Sequence, residues 1–95
     1  MVTYVARMMD SATGAEGTYR FEHREDLMNR PADDIVAAFF EHADREVFTR
    51  GRVEYELNGA IKNKETKTVV AIGQLHMAED AGRDNQPFTV FISAA

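Results

Sequence analysis

The chain has no cysteine and only two prolines in 95 residues. Without cysteine there can be no disulfide, thiolate metal ligand or thiol nucleophile, and nothing in the composition asks for an oxidising compartment. No apolar run approaches the ~20 residues that a membrane-crossing helix needs. The opening MVTYVARMMD has no basic stretch followed by an apolar core, so no secretory leader is expected. Positive charge is also short: eleven Lys and Arg against sixteen Asp and Glu give a net charge of -5. That balance opposes sequence-independent binding to DNA, RNA or anionic lipid, all of which recruit positive charge. The expectation is a cytoplasmic protein that touches neither nucleic acid nor membrane directly.

What is present is ordinary globular material. With 44% hydrophobic and 28% charged residues, the chain has too much apolar content for disorder. Its length suits one domain over residues 1–95 with a single core. No internal repeat or low-complexity tract divides it.

Residues 2–9 (VTYVARMM) are β-branched, aromatic and apolar, and residues 17–23 (GTYRFEH) alternate, with Tyr19, Phe21 and His23 on one side. Two such runs around a Gly-containing loop predict a hairpin. The segment NRPADDIVAAFFEHADREV predicts a helix. Pro31 suits a first helical position, where its missing N–H would have had no partner. Asp33 and Asp34 sit where the helix dipole favours negative charge. At about 100° per residue, Ile35, Val36, Phe39, Phe40, Ala43 and Val47 fall in one arc and Asp33, Glu41, Asp44 and Arg45 fall opposite. Such a helix is amphipathic and needs a surface to cover. Gly51 is a plausible stop just beyond it.

The stretch VEYELNGAIKNKETKTVVAIGQLHM holds two turn signals, NG and NKET. Asn-Gly is the strongest short hairpin signal when alternation flanks it. Yet Val53, Tyr55, Leu57, Gly59 and Ile61 keep a period of two straight through it. The turn is therefore expected near 63–67. The register that keeps one face apolar pairs Ile61 with Val69, Gly59 with Ala71, Leu57 with Gly73, Tyr55 with Leu75 and Val53 with Met77. In that register Gly59, Ala71 and Gly73 form a shallow seat for Phe39 and Phe40. The other face mixes Glu54, Glu56, Asn58, Ala60 and Lys62 with Thr68, Val70, Ile72, Gln74 and His76. After the polar AEDAGRDNQP, the run PFTVFIS puts Phe88, Val90 and Ile92 on one side and Phe91 on the other. A strand apolar on both sides belongs in the middle of a sheet or has its second side covered.

The expected fold is α+β: a single amphipathic helix on one face of a mainly antiparallel sheet of about five strands, in the order ββαβββ. The alternative is a β-grasp-like sheet with the last strand central. Neither arrangement implies a function.

Chemistry is sparsely signalled. His23, His42 and His76 each have a carboxylate nearby (Glu22, Glu46 and, across the ladder, Glu54), but no metal-ligand spacing such as HxxxH or HExxH occurs. Ser11 and Ser93 lie in no nucleophile turn. The GAEG at 14–17 has no flanking helix to make it an RNA clamp. Lys62, Lys64 and Lys67 gather at the predicted hairpin tip, after Arg50 and Arg52, but Glu65 interrupts them. No cofactor is called for and no enzymatic activity is expected, with a metal-dependent enzyme as a remote alternative.

Two surfaces stand out. Val70, Ile72 and Phe91 are apolar on the face away from the helix, and exposed apolar patches usually mark contact surfaces, most often symmetric ones. The opposing explanation is that the N-terminal hairpin or the 78–87 loop folds over them. The expectation is a protein-binding or assembly module, a homodimer through this face. Glu41 and Asp44, on the outer helix face, suggest instead an acidic regulator that occupies the basic surface of a nucleic-acid-handling protein.

Overall fold

A computed structural model describes residues 1–10, 16–24, 26–46, 53–77 and 85–95, the side chains of Asp10, Glu16 and Met77 excepted. Expectations that involve Ser11, Gly14, Ala15, Val47, Arg50, Gly51, Arg52 and the 78–84 part of the polar loop fall outside these residues. The elements are β1 (Val2–Asp10), β2 (Glu16–His23), α1 (Ala32–Glu46), β3 (Val53–Asn63), β4 (Thr68–Met77) and β5 (Gln86–Ala94). They form one helix on a five-stranded sheet in the order β2-β1-β5-β4-β3. Every pairing is antiparallel. This is the expected α+β architecture, and the last strand lies in the middle, between β1 and β4.

The helix begins one residue later than the sequence suggests. The carbonyl of Pro31 accepts the N–H groups of Asp34 and Ile35, so Pro31 caps the helix instead of occupying its first turn. Ile35, Val36, Phe39, Phe40 and Ala43 are buried along one stripe. Phe39 lies beside Phe21 (5.9 Å) and Tyr19 (6.1 Å), while Phe40 stacks on Tyr55 (4.2 Å) and meets Phe88 edge-on (5.3 Å). Offset and edge contacts of this kind add about 0.5–1.5 kcal/mol each to the area they bury. Tyr4, Ala6, Val69, Ala71, Phe88, Val90 and Ile92 complete the floor of the core.

A short 3-10 turn, Leu27–Asn29, was not foreseen. Asp26 caps it by accepting the Met28 N–H (3.0 Å), and Leu27 and Met28 close the end of the core. Its anchor is Tyr4: the Leu27 N–H donates to the buried Tyr4 hydroxyl at 2.7 Å. Burial, with a smaller push from Asp26, raises the Tyr4 hydroxyl above its ordinary range.

The β3–β4 hairpin turns where expected, after Asn63, whose Oδ1 accepts the N–H groups of Glu65 (2.9 Å) and Thr66 (3.2 Å). The register agrees with the sequence for Val53–Met77, Tyr55–Leu75 and Leu57–Gly73, then shifts between Leu57 and Gly59. Beyond the shift, Gly59 pairs with Ile72, Ala60 with Ala71, Ile61 with Val70 and Lys62 with Val69. The expected Ile61–Val69 and Gly59–Ala71 pairs are therefore wrong. A bulge puts one extra residue in β3 and reverses the faces that follow it. Asn-Gly is neither turn nor ordinary strand here; it marks the bulge. Lys62 consequently points inward and donates to the carbonyls of Met28 (3.1 Å) and Arg30 (2.8 Å). Its aliphatic stem covers the core edge while its ammonium closes the 3-10 turn.

The bulge also changes the seat for the helix. Gly59 leaves the helix side, and the Phe40 ring lies over Tyr55 and Phe88. Gly73 is still required: a Cβ there would collide with the Glu56 carbonyl and press on the Phe88 ring.

Tyr4→Phe is expected to cost about 1–3 kcal/mol in urea unfolding at neutral pH, because the buried Leu27 N–H loses its acceptor. In the wild type, a raised folded-state pKa means that stability is intact below the unfolded tyrosine value near ~10. It declines as pH rises through the higher folded value, since the unfolded chain releases the proton first. Tyr55 is shifted the same way, by burial and then by Asp44 and Asp33, so Tyr4→Phe should shallow that alkaline decline without abolishing it. Gly73→Ala is expected to destabilise by about 1–3 kcal/mol in the same assay, the cost of overpacking against backbone.

Candidate functional site: the helix-free sheet face

With α1 on one side, the alternation of β1, β5, β4 and β3 sends the remaining side chains to the other. The pairings align them into lines across the sheet. One line runs Thr18, Arg7, Phe91, Val70, Ile61. The next runs Met9, Thr89, Ile72, Gly59. Ile61 is 75% exposed, Met9 and Ile72 each 52%, Val70 41% and Phe91 38%. They are the large exposed hydrophobics of the described residues apart from Met1, and they adjoin one another. Such continuity separates a contact surface from scattered surface hydrophobics.

Val70, Ile72 and Phe91 thus lie together on the helix-free face, as the sequence suggests. The structure adds Ile61 and Met9. Ile61 was missed because uninterrupted alternation assigns it to the core side; the only available signal was the Asn-Gly that marks the bulge. The N-terminal hairpin does not lie over the patch, because β1 and β2 are strands of the same sheet. Next to Ile72, the face holds a depression of about 450 Å³ bordered by Met9, Asn58, Ile72, Gln74 and Pro87, with Gly73 and Phe88 at its base.

Charges flank the apolar lines at two corners. Arg7 and Arg20 are exposed on β1 and β2, Arg20 lying opposite Val5 with Glu22 beyond it. Glu54 and Glu56 are exposed on β3, opposite His76 and Gln74. His76 uses both ring nitrogens, Nε2 with Glu54 Oε2 (3.1 Å) and Nδ1 with Asn85 Oδ1 (2.6 Å), which ties the ends of β3, β4 and β5 together. This His–carboxylate pair was legible in the sequence. Among the described residues, no three His, Asp or Glu are grouped so as to hold a metal ion.

The acidic helix surface is divided by the structure. Glu41 is exposed and pairs with Arg45 one turn on (3.5 Å). Asp44 is half-buried, and its Oδ1 accepts the Val53 N–H (2.9 Å), holding the start of β3 against the helix. The three lysines of the hairpin tip are likewise separated, since Lys62 is turned inward. His42 packs its ring against Phe21 (5.8 Å).

Comparison with protein-family models, curated proteins and solved structures returned no match to this chain. Among the described residues no helix is long and apolar enough to cross a membrane.

Asp44→Ala is expected to cost about 1–2 kcal/mol in urea unfolding, because it removes a charged acceptor from a partly buried N–H. Glu41→Ala should fall within about 0.5 kcal/mol of the wild type, as for other exposed ion pairs.

Proposed function

We propose that this protein is a non-catalytic assembly module that self-associates, as a homodimer, through the helix-free sheet face. The observation that carries the reading is the unbroken apolar line Phe91–Val70–Ile61, backed by Ile72 and Met9. Leaving these side chains in water costs on the order of 25 cal/mol per Å² of apolar surface, and a second copy removes it at no cost in new sequence. Isologous pairing needs only that one patch complement itself.

Two other readings draw less support. An acidic regulator would present Glu41 and Asp44 together, but Asp44 is occupied by the Val53 N–H and Glu41 by Arg45. A metal-dependent enzyme would need a ligand cluster that the described residues do not form. Cysteine-free composition favours a cytoplasmic setting for the module, and the net charge of -5 favours a protein partner over nucleic acid or membrane.

Light scattering across a dilution series is expected to give twice the chain mass at the upper concentrations. Ile72→Glu should give the single-chain mass with an unchanged circular-dichroism spectrum, since Ile72 is already half exposed. A wild type that is monomeric throughout, or an Ile72→Glu chain that does not fold, would overturn the reading.

A further inference from the structure

We infer that two copies pair with their sheets crossed, about a two-fold axis that runs obliquely over the helix-free face and sets Arg7 of each against Glu56 of the other. This rests on the self-association proposed above and specifies its geometry. Strands lie about 4.8 Å apart and alternate residues on one face about 6.7 Å apart. Arg7 and Glu56 are three strands and two lines from each other, a separation of about 20 Å across the sheet along its diagonal. Their midpoint falls beside Ile72 and Thr89, close to the middle of the apolar patch. A two-fold axis through that point, lying in the interface and perpendicular to the Arg7–Glu56 diagonal, exchanges the two corners. It also sets the strands of the copies at roughly 90°, the orthogonal class of sheet packing.

The remaining side chains agree with this operation without adjustment. Arg20, outward of Arg7, comes over the neighbourhood of Glu54, outward of Glu56. Ile61 and Ile72 lie on or next to the axis and face their own counterparts. Phe91 faces the bulge at Asn58–Gly59, beside the exposed Asn58 side chain that borders the depression. Met9 comes over Gln74 and Pro87, at the depression bordered by those residues. Ile61 and Ile72 therefore meet apolar groups, Phe91 and Met9 come to the rim of the depression, and each basic corner meets an acidic one. Arg7, Arg20 and Glu56 make no ion pair within the described chain, so their charges are available across the interface; Glu54 is shared with His76. Their pairing offsets the repulsion between two chains that each carry a charge of -5. The size also fits: a five-stranded sheet is about 24 Å wide, and the lines from Arg20 to Glu54 span about 27 Å. Two such faces bury on the order of 1,200 Å², the lower end of specific interfaces.

The test uses the full chain with Arg7→Glu, Glu56→Arg, their equimolar mixture and the double variant. The first variant has Glu at both sites and the second Arg at both, so neither can pair with itself, whereas the mixture pairs at both contacts and the double variant pairs with its sign reversed. Each single variant is expected to weaken self-association at least tenfold by light scattering. The mixture should recover it as a one-to-one heterodimer by native mass spectrometry, and the double variant should recover it alone. Independently, Ile61→Cys in this cysteine-free chain should form a disulfide-linked dimer on mild oxidation, while Val5→Cys, which lies far from its counterpart, should not. If the wild type dimerises but the single variants do so with unchanged affinity, or the mixture fails to recover, the crossed geometry is wrong and the face reading stands. A wild type that is monomeric at every concentration overturns both, whether a different protein or nothing occupies the face.

Discussion

One helix cannot cover both faces of a sheet, and this constraint governs the rest of the structure. The buried stripe of α1 reaches the sheet through Phe39 and Phe40, which meet Tyr19, Phe21, Tyr55 and Phe88. Most of what the strands turn toward α1 is apolar or glycine, with Lys62 at the end of β3 turned inward to the Met28 and Arg30 carbonyls. Everything they turn away is left without a second layer among the described residues. A five-stranded sheet whose central strand carries Phe88, Val90 and Ile92 inward and Phe91 outward is poorly matched to one-sided cover.

The bulge at Asn58–Gly59 makes the mismatch sharper. Without it, Ile61 would be a core residue and Lys62 a surface lysine. With it, Ile61 becomes the most exposed of the apolar side chains on the open face, and Lys62 closes the 3-10 turn through the Met28 and Arg30 carbonyls. The same local irregularity thus completes one end of the core and extends the patch on the opposite side. Close approach of the Glu56 carbonyl to Gly73 shows how tightly the hairpin is drawn together beside the bulge. Bulges commonly re-aim side chains at the edge of a sheet, and β3 is an edge strand.

The polar groups follow the same economy of a small domain. Tyr4 supplies an acceptor for the Leu27 N–H, Asp44 one for the Val53 N–H, and Asp26 one for the Met28 N–H. No buried side-chain nitrogen or oxygen among the described residues lacks a partner, as native structures require. Side chains that look functional by type alone, such as Asp44 and Lys62, turn out to hold backbone. The apolar side chains Met9, Ile61, Val70, Ile72 and Phe91 are left exposed on the helix-free face, and for that reason they carry the functional proposal.

The amino-acid sequence by itself determined the class of fold, the helix and its buried stripe, and the placement of Val70, Ile72 and Phe91 on the face away from the helix. These follow from periodicity, which is local and survives any strand order. It also placed Glu54 opposite His76, because the ladder next to Val53 is regular. Only the tertiary structure decided which side Ile61 and Lys62 face, since a bulge shifts the phase by one residue and leaves the alternation of residue types unchanged. Only the tertiary structure brought Met9 and Arg7 of β1 into line with Thr89 and Phe91 of β5, residues far apart in the chain. The diagonal arrangement of arginines, apolar lines and glutamates is a property of sheet order and register together, and neither can be read from one strand at a time.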